Sequence, residues 1–86
     1  MTHELKTWLP YFEEVLSGTK TFEVRVHDRK FQVGDTLRLR EWSPNLSGYS
    51  GRALFKTVTY LFTGDSAQGL GIQDWPQDIV ILGLSR

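Results

Sequence analysis

The sequence predicts an α+β domain: a small, mostly antiparallel β-barrel of about five strands, capped by one N-terminal helix. Three observations predict it. A helical stripe near the start is followed by several short runs that alternate every second residue. Turn-rich segments separate those runs. No internal repeat or linker divides the chain, so residues 1–86 are read as one domain.

The hydrophobic share of 40% and the charged share of 23% are those of a globular chain, not a disordered one. A chain this short buries only part of its surface. Its eleven aromatic residues help, because each ring buries more apolar area than a small side chain would.

Residues 2–6 form a short strand, with Leu5 opposite Glu4 and Lys6. A helix over residues 8–17 follows, with Thr7 as its N-cap and Pro10 in its first turn, where a missing N–H costs little. Trp8, Leu9, Phe12, Val15 and Leu16 make one apolar stripe, and Gly18 closes the helix in a left-handed conformation. Residues 21–27 alternate strictly: Phe22, Val24 and Val26 on one face, Thr21, Glu23, Arg25 and His27 on the other. Trp8, Phe12 and Phe22 are expected in the core. Residues 31–35 read as a tight turn anchored by Phe31 and Val33. Residues 36–42 alternate again, Leu37 and Leu39 against Arg38 and Arg40. Residues 43–51 are read as a long hairpin loop and residues 52–62 as a strand. Residues 63–77, with three glycines and a proline, are read as loop. Residues 78–85 close the chain on Ile79-Val80-Ile81-Leu82, a run expected to be buried on both faces.

The net charge of zero argues against a strong, sequence-blind nucleic-acid binder, whose affinity would come from counterion release. The charge is uneven, however. Residues 20–40 carry six basic side chains (Lys20, Arg25, Arg29, Lys30, Arg38, Arg40) against three acidic ones (Glu23, Asp28, Asp35). Such a patch suits one phosphate or a short strand. The absence of cysteine removes disulfides, thiolate metal sites and cysteine nucleophiles together. No segment approaches the ~20 apolar residues that span a bilayer, and the N-terminus lacks the basic-then-apolar order of a signal peptide. The expectation is a cytoplasmic protein with no membrane contact. His3 and His27 lie in no metal-ligand spacing, so neither a metal nor a cofactor is expected. Gly69-Leu70-Gly71 is followed by no helix and makes no phosphate loop.

The stretch Gly18-Thr19-Lys20-Thr21-Phe22-Glu23-Val24-Arg25 carries the most chemistry. A lysine stands just past the helix end. The next strand then presents Thr21, Glu23 and Arg25 on one face, about 7 Å apart. Glu23 could hold a nucleobase edge, and Lys20 or Arg25 a phosphate; an exposed salt-bridge network is the structural alternative. Glu41 continues the parity of Leu37 and Leu39, so it ends an apolar face and needs a cation, with Lys20, Arg25 or Lys6 expected. Lys6 and Arg29 complete the expected ligand-binding set with Lys20, Glu23, Arg25 and Glu41. Tyr60 and Trp75 are the rings expected to stack on a base.

The run GTKTFEVR resembles the G-x-K-x-x-x-x-R signature that opens the ASCH family of PUA-like barrels. With Asp28-Arg29, Phe31-Gln32-Val33-Gly34-Asp35 and the strand ending in Glu41-Trp42, the pattern over residues 2–42 is similar to the DUF3850 branch, seen in bacteria and their phages. The resemblance implies a β-barrel with a polar cleft beside the first helix, and a link to RNA or modified nucleosides. Some ASCH proteins remove the acyl group of N4-acetylcytidine with a lysine, a threonine and a glutamate, and a ribonuclease activity also occurs in the family. Lys20 matches the family lysine. Glu23 stands where those hydrolases carry the threonine, with Thr21 two residues earlier. The expected function is therefore binding of single-stranded RNA or a modified nucleoside. A small hydrolase using Lys20, Glu23, Thr21 and Glu41 is the first alternative, and a protein-interaction module the second.

Overall fold

Two-residue alternation shapes most of the chain. The computed structural model describes residues 1–86. It contains β1 (Thr2–Trp8), α1 (Leu9–Leu16), β2 (Phe22–Val26), β3 (Thr36–Ser43), β4 (Gly48–Phe62), α2 (Gly64–Gly69) and β5 (Ile79–Leu84). The strands form one mixed sheet in the order β1-β3-β4-β5-β2. β1 runs parallel to β3, and the other three ladders are antiparallel. The α+β class and the antiparallel majority are as predicted, but the sheet is not closed into a barrel. Its edge strands, β1 and β2, share no ladder. Side chains occupy the seam instead, with Arg25 Nη2 donating to Thr7 Oγ1 at 3.2 Å.

β4 is long because it serves both halves of the sheet. Its first part pairs with β3 and its last part with β5. A bulge lies between Val58 and Tyr60. One extra residue there reverses the side-chain parity, so that Val58 before it and Leu61 after it both face the core. Leu5, Leu37, Leu39, Val80, Leu82 and Leu84 complete the sheet's contribution, and Val15 of α1 and Phe31 pack against them.

Several elements depart from expectation, each for a local reason. β1 runs on to Trp8, so Trp8 and not Thr7 occupies the helix N-cap position, with no side-chain cap bond. Thr7 continues the inward set His3, Leu5, Thr7. Along α1, Phe12 and Val15 are buried, while Trp8 and Leu16 are about half exposed. Gly18 ends the helix at φ +83°, as expected, donating its N–H to the Val15 carbonyl at 3.1 Å.

The larger correction concerns β2. Phe22, expected in the core, is outward together with Val24 and Val26 on its face, whereas Glu23 is only 2% exposed. The ladder explains this: Glu23 pairs with Leu82 and Arg25 with Val80, and those partners already point into the core. The neighbouring strand sets the parity, and β2 follows it with its polar face inward.

The expected long hairpin loop is a four-residue turn, because β3 reaches Ser43 and β4 begins at Gly48. Trp42 and Tyr49, paired across the strands with rings 5.2 Å apart edge to face, extend the hairpin. In residues 31–35, Phe31 is buried but Val33 is exposed. The Asp35 carboxylate holds that turn, accepting the Gln32 N–H at 3.0 Å. The segment read as loop contains α2, which is too short to show a period; Ser66 Oγ accepts the Thr63 N–H at 3.1 Å at its start. β5 buries one face, Val80, Leu82 and Leu84, and leaves Ile79 and Ile81 half-buried. Neither helix is long and apolar enough to cross a membrane.

Candidate functional site

Inside the sheet, apolar residues give way to polar ones at one end. Along β1 the inward series runs His3, Leu5, Thr7, and along β3 Leu37, Leu39, Glu41, Ser43. β2 adds Glu23. Buried carboxylates are costly unless they are paired, so each must have a partner.

Glu23 finds part of its partnership in a cleft at the seam between β1 and β2. The cleft has a volume of about 320 Å³ and is lined by Lys6, Thr7, Trp8, Tyr11, Lys20, Glu23, Val24 and Arg25. The chain geometry brings these residues together. Pro10 opens α1 immediately after β1, so Trp8 and Tyr11 stand at the mouth, both about half exposed. The tight turn at Gly18 then folds Lys20 back under the helix, its backbone N–H bonded to the Glu14 carbonyl at 2.9 Å. The Lys20 ammonium lies over the Tyr11 ring, 4.9 Å from its centre.

Arg25 joins the two sides. Its Nε donates to Glu23 Oε2 at 2.9 Å, while Nη2 donates to Thr7 Oγ1. The second carboxylate oxygen is different. Glu23 Oε1 is buried and accepts no hydrogen bond. Lys20 Nζ sits 3.6 Å from it, close enough for charge attraction but beyond hydrogen-bonding distance. The cleft thus sets a buried, unbonded anionic acceptor beside two cations and aromatic walls. That arrangement can recognise a planar group carrying an N–H edge.

Glu41 belongs to a separate network. At the irregularity of the β3–β4 ladder, Arg40 pairs with Ala53 and Trp42 with Tyr49, so residues 50–52 stand opposite Glu41 alone. Gly51 adopts φ +96° at the apex, which turns the side chains on either side of it toward the carboxylate. Ser50 Oγ donates to Oε1 at 2.5 Å; Arg52 donates to Oε1 at 3.0 Å and to Oε2 at 2.6 Å. Arg52 also bonds Glu13 of α1 and lies over the Phe12 ring at 4.9 Å. The Arg52 guanidinium holds the Glu41 carboxyl below its ordinary value, and Ser50 adds to this. In turn, Glu41 and then Glu13 raise Arg52 above its own. This clamp fastens α1 to the hairpin, and Lys20, Arg25 and Lys6, the expected partners of Glu41, take no part in it.

At the other end of the interior, His3 Nε2 and Asp35 Oδ2 are 2.8 Å apart and buried. His3 also packs edge-on against Phe31 at 4.9 Å. The hydrogen bond to His3, followed by the Gln32 N–H and the terminal ammonium, holds Asp35 below the usual carboxylate range. No three His, Asp or Glu side chains converge as a metal ion would require.

Of the residues singled out in the sequence, Lys6, Lys20, Glu23 and Arg25 therefore share one cleft. Arg29 lies outside it, bonded to Asp28 and the Glu4 carbonyl. Thr21 is exposed and lines a different hollow, beyond Lys20, with Ser85 and Arg86. Tyr60 is exposed on the outer face of the sheet, where it pairs with Gly83. Trp75 packs edge-on against Phe62 and donates to the Ile79 carbonyl at 3.0 Å. Sequence reasoning missed Thr7, Trp8 and Tyr11 as lining residues. The alternation His3, Leu5, Thr7 was the signal that Thr7 faces inward.

Residues 2–84 match the pattern of a family described as "Domain of unknown function (DUF3850)". Over 80 residues the chain is 35% identical to a protein of Escherichia phage P2 described as "Uncharacterized 12.9 kDa protein in GpA 3'region". The match covers 93% of this chain and 64% of the phage protein, so the chain spans just under two thirds of that relative's length.

Proposed function

The chain belongs to the DUF3850 family, and from that premise we propose that it is a nucleobase-recognition domain, taking one base of an RNA or a modified nucleoside into the cleft beside α1. In this reading the family is a branch of the ASCH group. The sheet is then an open counterpart of the PUA-like barrel, its β1–β2 seam bridged by side chains instead of a ladder. In support, the three signature residues Gly18, Lys20 and Arg25 are gathered at the helix end and the cleft.

The observation that carries the reading is Glu23 Oε1, a buried acceptor without a donor. Leaving such an atom unsatisfied costs more than an ordinary hydrogen bond contributes. An exocyclic amine or ring N–H of a base satisfies it once the Lys20 ammonium, 3.6 Å away, swings aside. Trp8 and Tyr11 flank the base, and Lys6 at the mouth meets its phosphate.

A second reading, hydrolysis of an acylated base, is favoured by the Lys20–Glu23 approach at 3.6 Å. Glu23 would then act as a general base on water, because a carboxylate stands where related hydrolases carry threonine, and Lys20 would steady the developing oxyanion.

One titration separates these readings. Isotope-labelled protein is titrated with a nucleoside panel that includes N4-acetylcytidine, with substrate resonances followed in the same samples. Base recognition predicts shifts at residues 6–8, 20 and 23–25 that need about tenfold more ligand in Glu23→Gln. Product signals that disappear in Lys20→Ala would establish hydrolysis. Silence across the panel and with short RNA would overturn both readings and leave a protein partner.

A further inference from the structure

The outer face of the β1–β3–β4 half of the sheet carries an aromatic rung next to a cationic one. Trp8 of β1, Trp42 of β3 and Tyr49 of β4 stand side by side in register. The next outward rung along the strands is Lys6, Arg40 and Ala53. One rung further, Arg38 lies between Glu4 and the exposed Phe55. Strand spacing places neighbours within a rung about 4.8 Å apart and successive rungs about 7 Å apart. Neither helix covers this face: α1 turns Val15 into the core on the opposite side of the sheet, and Trp8 and Tyr49 stay 48% and 44% exposed.

The cations here are held by rings. Lys6 Nζ sits 4.4 Å from the centre of Trp42, and the Arg40 guanidinium 3.9 Å from that of Tyr49. Neither makes a salt bridge to a carboxylate, whereas the strand arginines Arg25, Arg38 and Arg52 do. Two unneutralised charges are thus fixed over flat apolar groups on an open sheet. A guanidinium stacked on a tyrosine still offers its second face to a base and its edge to a phosphate.

We infer that this face is a platform for single-stranded nucleic acid: rings and the Arg40 plane stack its bases while Lys6 and Arg40 meet its phosphates. The charge complementarity is specific to a polyanion with planar groups. A duplex would offer its phosphates but hide its base faces. Lys6 and Trp8 belong to both the platform and the cleft, so one strand can lie along the sheet and deliver a base to Glu23. That connection rests on the base-recognition reading; the platform itself does not.

The test measures binding of fluorescein-labelled U1, U4 and U8 oligonucleotides, a duplex of equal charge, and free nucleosides to the intact chain over a range of salt. The platform predicts affinity rising from U1 to U8 and weaker binding of the duplex. The slope of log K against log salt should flatten by about 0.7 in Arg40→Gln, one phosphate contact on a single strand. Trp42→Ala should weaken U8 by about tenfold or more. Arg40→Gln changes only a surface group, so the test survives even if the tryptophan variant folds poorly. Affinity independent of length, a slope unchanged by Arg40→Gln, or equal competition by poly-glutamate would overturn the platform. Nucleosides that bind normally alongside such a failure keep the cleft reading. Length-dependent binding with no response to nucleosides keeps the platform and overturns the cleft.

Discussion

Arg25 on β2 donates a hydrogen bond to Thr7 on β1 at 3.2 Å, joining two edge strands that share no ladder. The same guanidinium holds Glu23 Oε2, so a single side chain both bridges the seam and anchors the cleft's carboxylate. Arg25→Ala should therefore destabilise the fold by roughly 1.5–3 kcal/mol, the range for hydrogen bonds to charged groups. Arg25→Lys should recover little of this, because an ammonium cannot reach both partners with a planar fork. Urea denaturation of the two variants checks it, and a wild-type midpoint for the lysine variant would count against the bridge.

Glu23→Gln should destabilise the fold less than Arg25→Ala does, since the amide keeps an oxygen for Arg25 although the charge facing Arg25 and Lys20 is lost. Ligand affinity should nevertheless fall about tenfold, the amide presenting an N–H where an acceptor is needed. Calorimetric titration beside a melting curve separates the two effects.

Acid should loosen the clamp on α1. The Arg52 hydrogen bonds depress the folded-state pKa of Glu41. Its contribution is then complete above the unfolded carboxyl value, about 4.3, and is lost as pH falls through the lower folded value. Asp35, depressed by His3, acts in the same direction. Stability followed from pH 7 down to about pH 3 should drop below that unfolded value, and Glu41→Gln should show a shallower drop from a lower start. Equal slopes for the two proteins would refute the role of Glu41.

Gly51 holds the bulge that presents Ser50 and Arg52 to Glu41. An added Cβ would meet no atom within 4 Å, so the penalty of Gly51→Ala is that of its φ of +96° alone, roughly 1 kcal/mol. A larger loss, read from thermal melting, would mean that the Glu41 clamp had come apart as well.

Leu39 is fully buried in the β3 ladder, and Leu39→Ala should cost about 2–5 kcal/mol. The same measurement on Val24→Ala, at an outward and half-exposed position, should fall within about 0.5 kcal/mol of wild type.

Much of the fold was legible because alternation is a local property. The strands around Leu5, Leu37 and Leu39, the Phe12/Val15 face of the helix and its stop at Gly18 all follow from spacing. Alternation defines two faces, however, and does not say which is inside. At β2 the apolar face was the natural choice, yet Leu82 and Val80 across the ladder had already taken the core, a long-range fact absent from residues 21–27. The site was legible to the same degree. Lys20, Glu23 and Arg25 stand close in sequence and meet in space, whereas the union of Glu41 with Ser50 and Arg52 depends on a bulge that no periodicity announces.

The ladder order also sets a timetable. The β3–β4 hairpin is local and can form as soon as its residues exist, whereas β2 pairs with β5 alone, across most of the chain. During synthesis, Glu23 and Arg25 are therefore made early but remain on an unpartnered strand until residues 79–84 arrive. The β2 side of the cleft can take its place only after β5 has been made, however early Glu23 and Arg25 leave the ribosome.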